Sequence, residues 1–282
     1  MPFSVPIEVI RQQVKLALEE DVGSGDVTAA LLPEDENANA RLISRQTAVI
    51  AGRLWFDEVF RQLDDRITID WHVNEGEQVA ADQALCDLHG PVRALLTGER
   101  AALNFLQTLS GTATTVRKYV ERIKGTGAQV LDTRKTLPGM RLAQKYAVSC
   151  GGGTNHRIGL YDMVLIKENH IAAAGSISEA VRIARRLSPT LNIEVEVENL
   201  EQLDQALAAG IERVLLDNMS IVQLKQAVSL NSNRASLEAS GGVTLDNIRD
   251  IAETGVDYIS VGALTKDVRA VDLSLRITSV DE

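Results

Sequence analysis

Cysteine is scarce in this chain, and the scarcity excludes two classes of protein. Cys86 and Cys150 are the only two; they are too few for a disulfide framework and lack the paired spacing of a metal site. Long hydrophobic runs are missing as well. No segment reaches 18 uninterrupted apolar residues, and the first residues carry no charged-then-apolar signal, so a cytoplasmic protein without a membrane span is expected. Positive charge is in deficit: 29 Lys and Arg against 39 Asp and Glu leave a net charge of −10, which argues against a nucleic-acid surface and predicts solubility. Nor is there a Ser-His or Cys-His arrangement that would mark a protein nucleophile. What remains is an ordinary globular composition, 45% hydrophobic and 24% charged, in 282 residues that leave room for a barrel and a smaller domain.

The pattern changes near residue 110. Before it, Ile7, Ile10, Val14 and Leu18 share one face of an opening helix. Ile67, Ile69, Trp71 and Val73 alternate as in a half-exposed strand, and residues 41–51 read as another. Residues 73–79, VNEGEQV, have the chemistry of a tight turn. A helix from Thr97 carries Ala101, Ala102, Phe105, Leu106 and Leu109 inward. After residue 110 the chain repeats one unit, a short apolar run ending in a charge or a glycine, then a helix. The runs end at Asp132, Lys167, Glu196, Asp217, Glu238 and Gly262, and from Lys167 to Glu238 they are 29, 21 and 21 residues apart. Helices are expected near 139–149, 177–187, 199–209, 220–229 and 245–254, with Gly210 and Gly255 just past two of them. Apolar runs of this kind are buried parallel strands, and charges at their carboxyl ends surround the mouth of a barrel. The expected fold is α/β, an incomplete TIM-like barrel with a smaller N-terminal α+β sandwich. The expected domains are 1–112, rejoined by the alternating C-terminal strand at 270–282, and a barrel over 113–269 that carries most of the active site.

The rim holds a cationic group, Arg134, Lys135, Arg141, Arg157 and Lys167 with His156 beside them, against the carboxylates Glu196, Asp217 and Glu238. Two readings stand. The charges form a structural ion-pair ring, or the surplus cations await an anionic ligand while the carboxylates hold Mg²⁺ with substrate oxygens. Ser240-Gly241-Gly242-Val243-Thr244 opens a helix after the fifth run, and Gly262-Ala263 follows the sixth. Glycine turns on the last strands of such a barrel form phosphate sites. Other residues have plainer readings: Cys150 as a small packed residue, His170 as a loop cap, Trp55 and Trp71 as core in strand-like segments, and residues 33–36 as a solvated acidic loop.

Several segments carry a family resemblance. DTRKTLPGMR (132–141), GGGTNHRIGLYDMVLIKENHI (151–171), EVEVE (194–198), LLDNM (215–219), ASGGVT (239–244) and ETGVDYISVGALT (253–265) resemble quinolinate phosphoribosyltransferases, the decarboxylating enzymes of NAD synthesis. EEDVGSGDVT (19–28) and GERAALNFLQTLSGTAT (98–114) are similar too, while Lys266 and Asp267 stand where many members have His-Ser. The resemblance implies that Arg100, Arg134, Arg157 and Lys167 grip the two carboxylates of quinolinate, with His156 at the pocket edge. Lys135 lies between quinolinate and phosphoribosyl pyrophosphate, and Thr133 is a further substrate-binding residue. Glu196 and Asp217 hold the ribose hydroxyls and Mg²⁺. Ser240, Gly241, Gly242, Val261, Gly262 and Ala263 cradle the 5-phosphate. Lys135, Lys167, Glu196 and Asp217 are then the catalytic set. It also implies a homodimer with shared sites, in which Arg100 serves the neighbouring barrel, and possible higher assembly. Two other activities fit parts of the pattern: a relative with another pyridine or molybdenum-linked role, and a Schiff-base aldolase using Lys167, which borohydride trapping would expose.

Overall fold

The computed structural model describes residues 3–33 and 36–280. The chain divides into two compact units, one of Met1–Arg117, Leu137–Gly152 and Asp267–Glu282, the other of Lys118–Thr136 and Gly153–Lys266.

In the first unit, helix α1 (Ile7–Val22) buries Ile10 and Val14 but leaves Ile7 exposed. The strand expected over 41–51 is two, β1 (Asn37–Ser44) and β2 (Ala48–Val49), broken where the Ser44 hydroxyl donates to the Gln46 carbonyl. Helix α2 (Arg53–Leu63) takes in Trp55, which had read as strand-like. Gly52 explains the difference. Its φ of +111° turns the chain, and the Glu75 carboxylate accepts the Gly52 and Arg53 N–H groups that start the helix. Trp55 is fully buried there, its indole N–H bound to Gln13. Strands β3 (Thr68–Trp71), β4 (Gln78–Val79) and β5 (Ala84–Pro91) follow. The main sheet is antiparallel, in the order final strand (Leu273–Val280), β1, β5, β3, so the last strand of the chain lies beside β1; β2 and β4 pair separately.

Helix α3 (Val92–Arg122) begins five residues before Thr97 and runs through the expected boundary at 112. Helix α4 (Arg141–Cys150) was expected among the barrel helices, yet it groups with the first unit because Ala143, Tyr146 and Ala147 join that unit's hydrophobic core. Cys150 is buried on this helix, and burial, then the nearby Glu75 charge, push its thiol up to about 12, so it packs rather than reacts. Pro33 and Glu36 of the acidic loop are exposed, while Glu34 and Asp35 lie outside the described residues.

The second unit is the βα array. Strands β6 (Gln129–Leu131), β7 (Val164–Ile166), β8 (Ile193–Val197), β9 (Arg213–Asp217), β10 (Ser236–Ser240) and β11 (Tyr258–Ser260) form one parallel sheet in the order β6-β11-β10-β9-β8-β7. Thr154 adds a single parallel bridge to Leu131 on the outer side of β6, so six strands and a fragment stand where a full barrel has eight. Helices α5 (Glu168–Ala174), α6 (Ile177–Leu187), α7 (Leu200–Ala208), α8 (Ile221–Asn231), α9 (Ile248–Ala252) and α10 (Ala263–Lys266) fill the connections. Ser176, Asn199 and Ser220 cap three of them by accepting the N–H three residues on. Alternation sets the interior: Val195 and Val197 face away from it, while Glu194 and Glu196 share the inner face with Arg213 and Asp217 on β9 and Glu238 and Ser240 on β10.

Candidate active site

Strand register stacks the inner residues in levels. Glu194 pairs with Arg213 at the lowest, Glu196, Leu215, Glu238 and Tyr258 follow, and Asp217 pairs with Ser240 at the carboxyl ends. Lys167 extends β7 at the rim, and its ammonium lies 2.5 Å from Glu196 Oε2. Asp217 Oδ2 accepts the Asn218 side-chain amide at 2.7 Å. Asn218 itself sits in a left-handed turn, with φ +54° and its N–H on the Ser240 carbonyl. Gly241 makes that turn possible, because a Cβ there would lie 2.1 Å from Asn218 Oδ1.

The cations come from the two loops beside β6. Thr133 Oγ1 accepts the Lys135 N–H, and Thr265 Oγ1 donates to the Lys135 carbonyl, which fixes the 133–135 turn. Lys135 then lies along Gly262, 3.0 Å from where a Cβ would stand. Arg134 Nε is buried and has no hydrogen-bond partner. Arg157 is held below the usual guanidinium range, first by burial and then by the like charge of Arg134, with Glu194 and Glu196 partly offsetting both. A buried donor left open beside a second cation can receive an anion, while Arg157 Nη1 already bonds the Met163 carbonyl at 3.3 Å.

His156 and Glu238 are placed otherwise than at the rim. Strand β10 runs two residues beyond Glu238, so its side chain is inside the barrel and fully buried, as is Glu194. His156 Nε2 lies 2.9 Å from Glu194 Oε2 and 3.4 Å from Glu238 Oε2. Arg213 bonds both carboxylates, Nε to Glu194 at 2.9 Å and Nη2 to Glu238 at 2.5 Å, and its guanidinium lies 4.6 Å over the Tyr258 ring. Burial opposes a charged Glu238, but His156 and Arg213 outweigh it and hold that carboxyl at about 2. Glu194 is raised, first by burial and also by the Glu238 charge, since the second carboxyl of a coupled pair ionises against the first. Burial likewise opposes a charged His156, and the two carboxylates outweigh it, raising the ring to about 9. The Arg157 amide works the other way, because it donates to Nδ1, where the second proton would have to sit.

The ion-pair reading of the charges holds for Glu238, which lies in an internal cluster with His156, Glu194 and Arg213, while the anion reading is left to Arg134, with its open buried Nε, and to Arg157. Arg213, and Glu194 as its partner, went unassigned; the signal was their even spacing below the rim carboxylates on the same strands, Glu194 two residues before Glu196 and Arg213 four before Asp217. Arg100 falls in the first unit, on α3, as expected, whereas Arg141, expected with the rim cations, opens α4 of that same unit. The helix expected to open at Gly241 and Gly242 starts at Ile248, because Asn247 closes an intervening turn on the Thr244 N–H and the Gly242 carbonyl. His170 caps its loop as expected, accepting the Lys167 N–H.

Comparison with known proteins agrees with this architecture. The family model described as quinolinate phosphoribosyl transferase, C-terminal domain, matches residues 112–276, and its N-terminal counterpart matches 26–110. A probable nicotinate-nucleotide pyrophosphorylase (carboxylating) of Bacillus subtilis is 41% identical over 264 residues, 93% of this chain and 91% of the relative. The nicotinate-nucleotide pyrophosphorylase of Mycobacterium leprae is 44% identical over 277 residues, 95% of this chain and 97% of the relative. The solved structure of the Francisella tularensis enzyme of that name superposes with a TM-score of 0.94 at 46% identity, covering 98% of each chain. The fold is thus the incomplete TIM-like barrel with an N-terminal sheet domain expected from the βα pattern, and the chain belongs to the quinolinate phosphoribosyltransferase family.

Proposed function

We propose that this chain transfers the phosphoribosyl group of phosphoribosyl pyrophosphate to quinolinate and decarboxylates the adduct, giving nicotinate mononucleotide, pyrophosphate and CO₂ for NAD synthesis. The observation that carries this is the Arg134–Arg157 pair, two guanidiniums with an open buried donor beside the Lys167–Glu196 ion pair. A dicarboxylate answers both cations at once, and relatives with the printed name quinolinate phosphoribosyltransferase (decarboxylating) align over 98% of this chain.

The chemistry needs no protein nucleophile. The pyridine nitrogen bonds to C1 of the ribose, and pyrophosphate leaves with the C1–O electron pair. Positive charge builds on the ribose, where the Glu196 and Asp217 carboxylates oppose it. Lys135 and Lys167 supply charge for the departing pyrophosphate and the acceptor's carboxylates. The quaternised nitrogen then accepts charge as the adjacent carboxylate leaves as CO₂, and the carbanion takes up a proton. Arg100, Thr133 and Arg157 complete the quinolinate side, with His156 behind Arg157 and Ser240–Gly242 and Val261–Ala263 on the phosphate side.

Glu196 and Asp217 are the residues that would hold Mg²⁺. They offer hard oxygen donors from adjacent strands on the inner face, which suits that ion. Bound there it would neutralise pyrophosphate oxygens as they depart. Arg100 is exposed on α3 with no ion-pair partner among the described residues, which supports a homodimer whose Arg100 serves the partner's barrel. No helix among the described residues is long and apolar enough to cross a membrane; cytoplasmic action on small anionic substrates is part of the proposal. Incubation with quinolinate labelled in the 2-carboxylate, phosphoribosyl pyrophosphate and Mg²⁺ should release labelled CO₂ and equimolar nicotinate mononucleotide. Release of neither would refute the assignment.

A further inference from the structure

We propose that Arg213, Glu194 and Glu238 are positioning residues for quinolinate, acting through His156 to hold the segment that presents Arg157; the inference rests on the quinolinate reading above. Both glutamates are fully buried, and taking two carboxylates out of water carries a penalty that packed hydrophobic side chains avoid. Their presence beneath a binding pocket therefore calls for a reason other than stability.

The geometry supplies one. Residues 155–157 have little regular structure to hold them, since Thr154 contributes only one bridge to β6. They are tied instead by side chains. Asp132, at the end of β6, accepts the His156 N–H at 2.8 Å and the Asn155 side-chain amide at 2.7 Å. The His156 ring reaches down to Glu194 and Glu238, and its Nδ1 accepts the Arg157 N–H at 2.7 Å. Arg213 joins the two carboxylates and is itself set against Tyr258. An unbroken run of contacts thus leads from β9 and β10 to the backbone of Arg157. Burial and the like charge of Arg134 both disfavour a charged Arg157; the anchor works against that like charge, and it adds to the one bond the guanidinium itself makes among the described residues, Nη1 to the Met163 carbonyl at 3.3 Å.

A metal does not explain the cluster. Ligand atoms of His156, Glu194 and Glu238 all lie within 4.8 Å of one another, as a metal site requires, but Arg213 bonds one oxygen of each carboxylate, Glu194 Oε1 and Glu238 Oε2, so a positive charge already stands between them. A divalent ion would add charge beside a guanidinium rather than relieve the pair.

The test is a split between the two substrates. Glu238→Gln keeps the shape and removes the charge that draws on His156. Misplacing a binding group by a fraction of an ångström should raise the KM for quinolinate about tenfold or more, while the KM for phosphoribosyl pyrophosphate stays within about twofold and kcat within about threefold. Arg213→Lys should show the same split more weakly. Arg213→Ala gives a second arm. Arg213 lines a cavity of about 600 Å³ at the amino ends of the strands, along with Ser236 and Tyr258, which gives millimolar guanidinium ion a route to the vacated space. It should lower the quinolinate KM of Arg213→Ala at least threefold and leave wild type unchanged. If Glu238→Gln does not fold, the guanidinium response of Arg213→Ala decides. An unchanged quinolinate KM in folded Glu238→Gln, an equal rise in both KM values, or no guanidinium response would each overturn the proposal. Absence of quinolinate turnover in wild type would instead remove the reaction itself.

Discussion

Discrimination between quinolinate and nicotinate follows from the Arg134–Arg157 pair and can be worked to a magnitude. Nicotinate lacks the 2-carboxylate, so one guanidinium that quinolinate would pair is left facing a like charge. Removing one partner of a fully buried ion pair costs about 3–5 kcal/mol. Both arginines are only partly buried, which lets water screen part of that, so about 2–3 kcal/mol is the better figure. At 1.36 kcal/mol per decade this is about 30- to 150-fold in kcat/KM. The enzyme can be perturbed to match. Arg157→Met keeps the bulk and removes the charge; it should lower kcat/KM for quinolinate by a similar factor and change that for nicotinate far less, because losing a cation also relieves Arg134. Steady-state kinetics with both pyridines on both proteins closes a double-mutant cycle whose interaction energy should be about 2 kcal/mol. Nicotinate used within a few-fold of quinolinate by wild type, or an Arg157→Met variant that loses both substrates equally, would refute the reasoning.

Three further outcomes are expected. Glu196→Gln and Asp217→Asn should each depress kcat far more than quinolinate affinity, since their charge matters most as the ribose becomes cationic; near-normal kcat at saturating Mg²⁺ would remove that residue from the catalytic set. Arg100→Ala and Lys167→Ala should be inactive alone and recover about a quarter of wild-type activity when co-refolded, because half of randomly mixed dimers would carry one intact site of two; no recovery at any ratio means each site is built within one chain. Against burial, Glu194 and Glu238 raise His156 to about 9, so a ring charged in the fold contributes stability that is fully present below pH 6.5 and lost as pH rises through 9, at the expense of the Arg157 N–H bond to Nδ1. The difference in urea unfolding free energy between wild type and His156→Gln, followed from pH 6 to pH 10, should shrink accordingly, and a flat difference would show the ring to be neutral throughout.

Local chemistry alone determined much of this protein. Short apolar runs ending in charges 21 residues apart can be satisfied only by buried parallel strands with helices between them, so the βα array and the rim positions of Lys167, Glu196 and Asp217 were legible residue by residue. Ser and Asn caps and the glycines after helices are read the same way, because each acts within one turn of chain. Depth and partnership were not. Glu238 and Glu196 look alike in sequence and lie level with Leu215, yet Glu196 meets Lys167 while Glu238, fully buried, meets Arg213. The unit to which α4 belongs, and the pairing of the final strand with β1, also waited for the fold. Periodicity records which face a side chain takes, whereas its partner is set by strands that register brings together from far along the chain, and that pairing exists only in three dimensions.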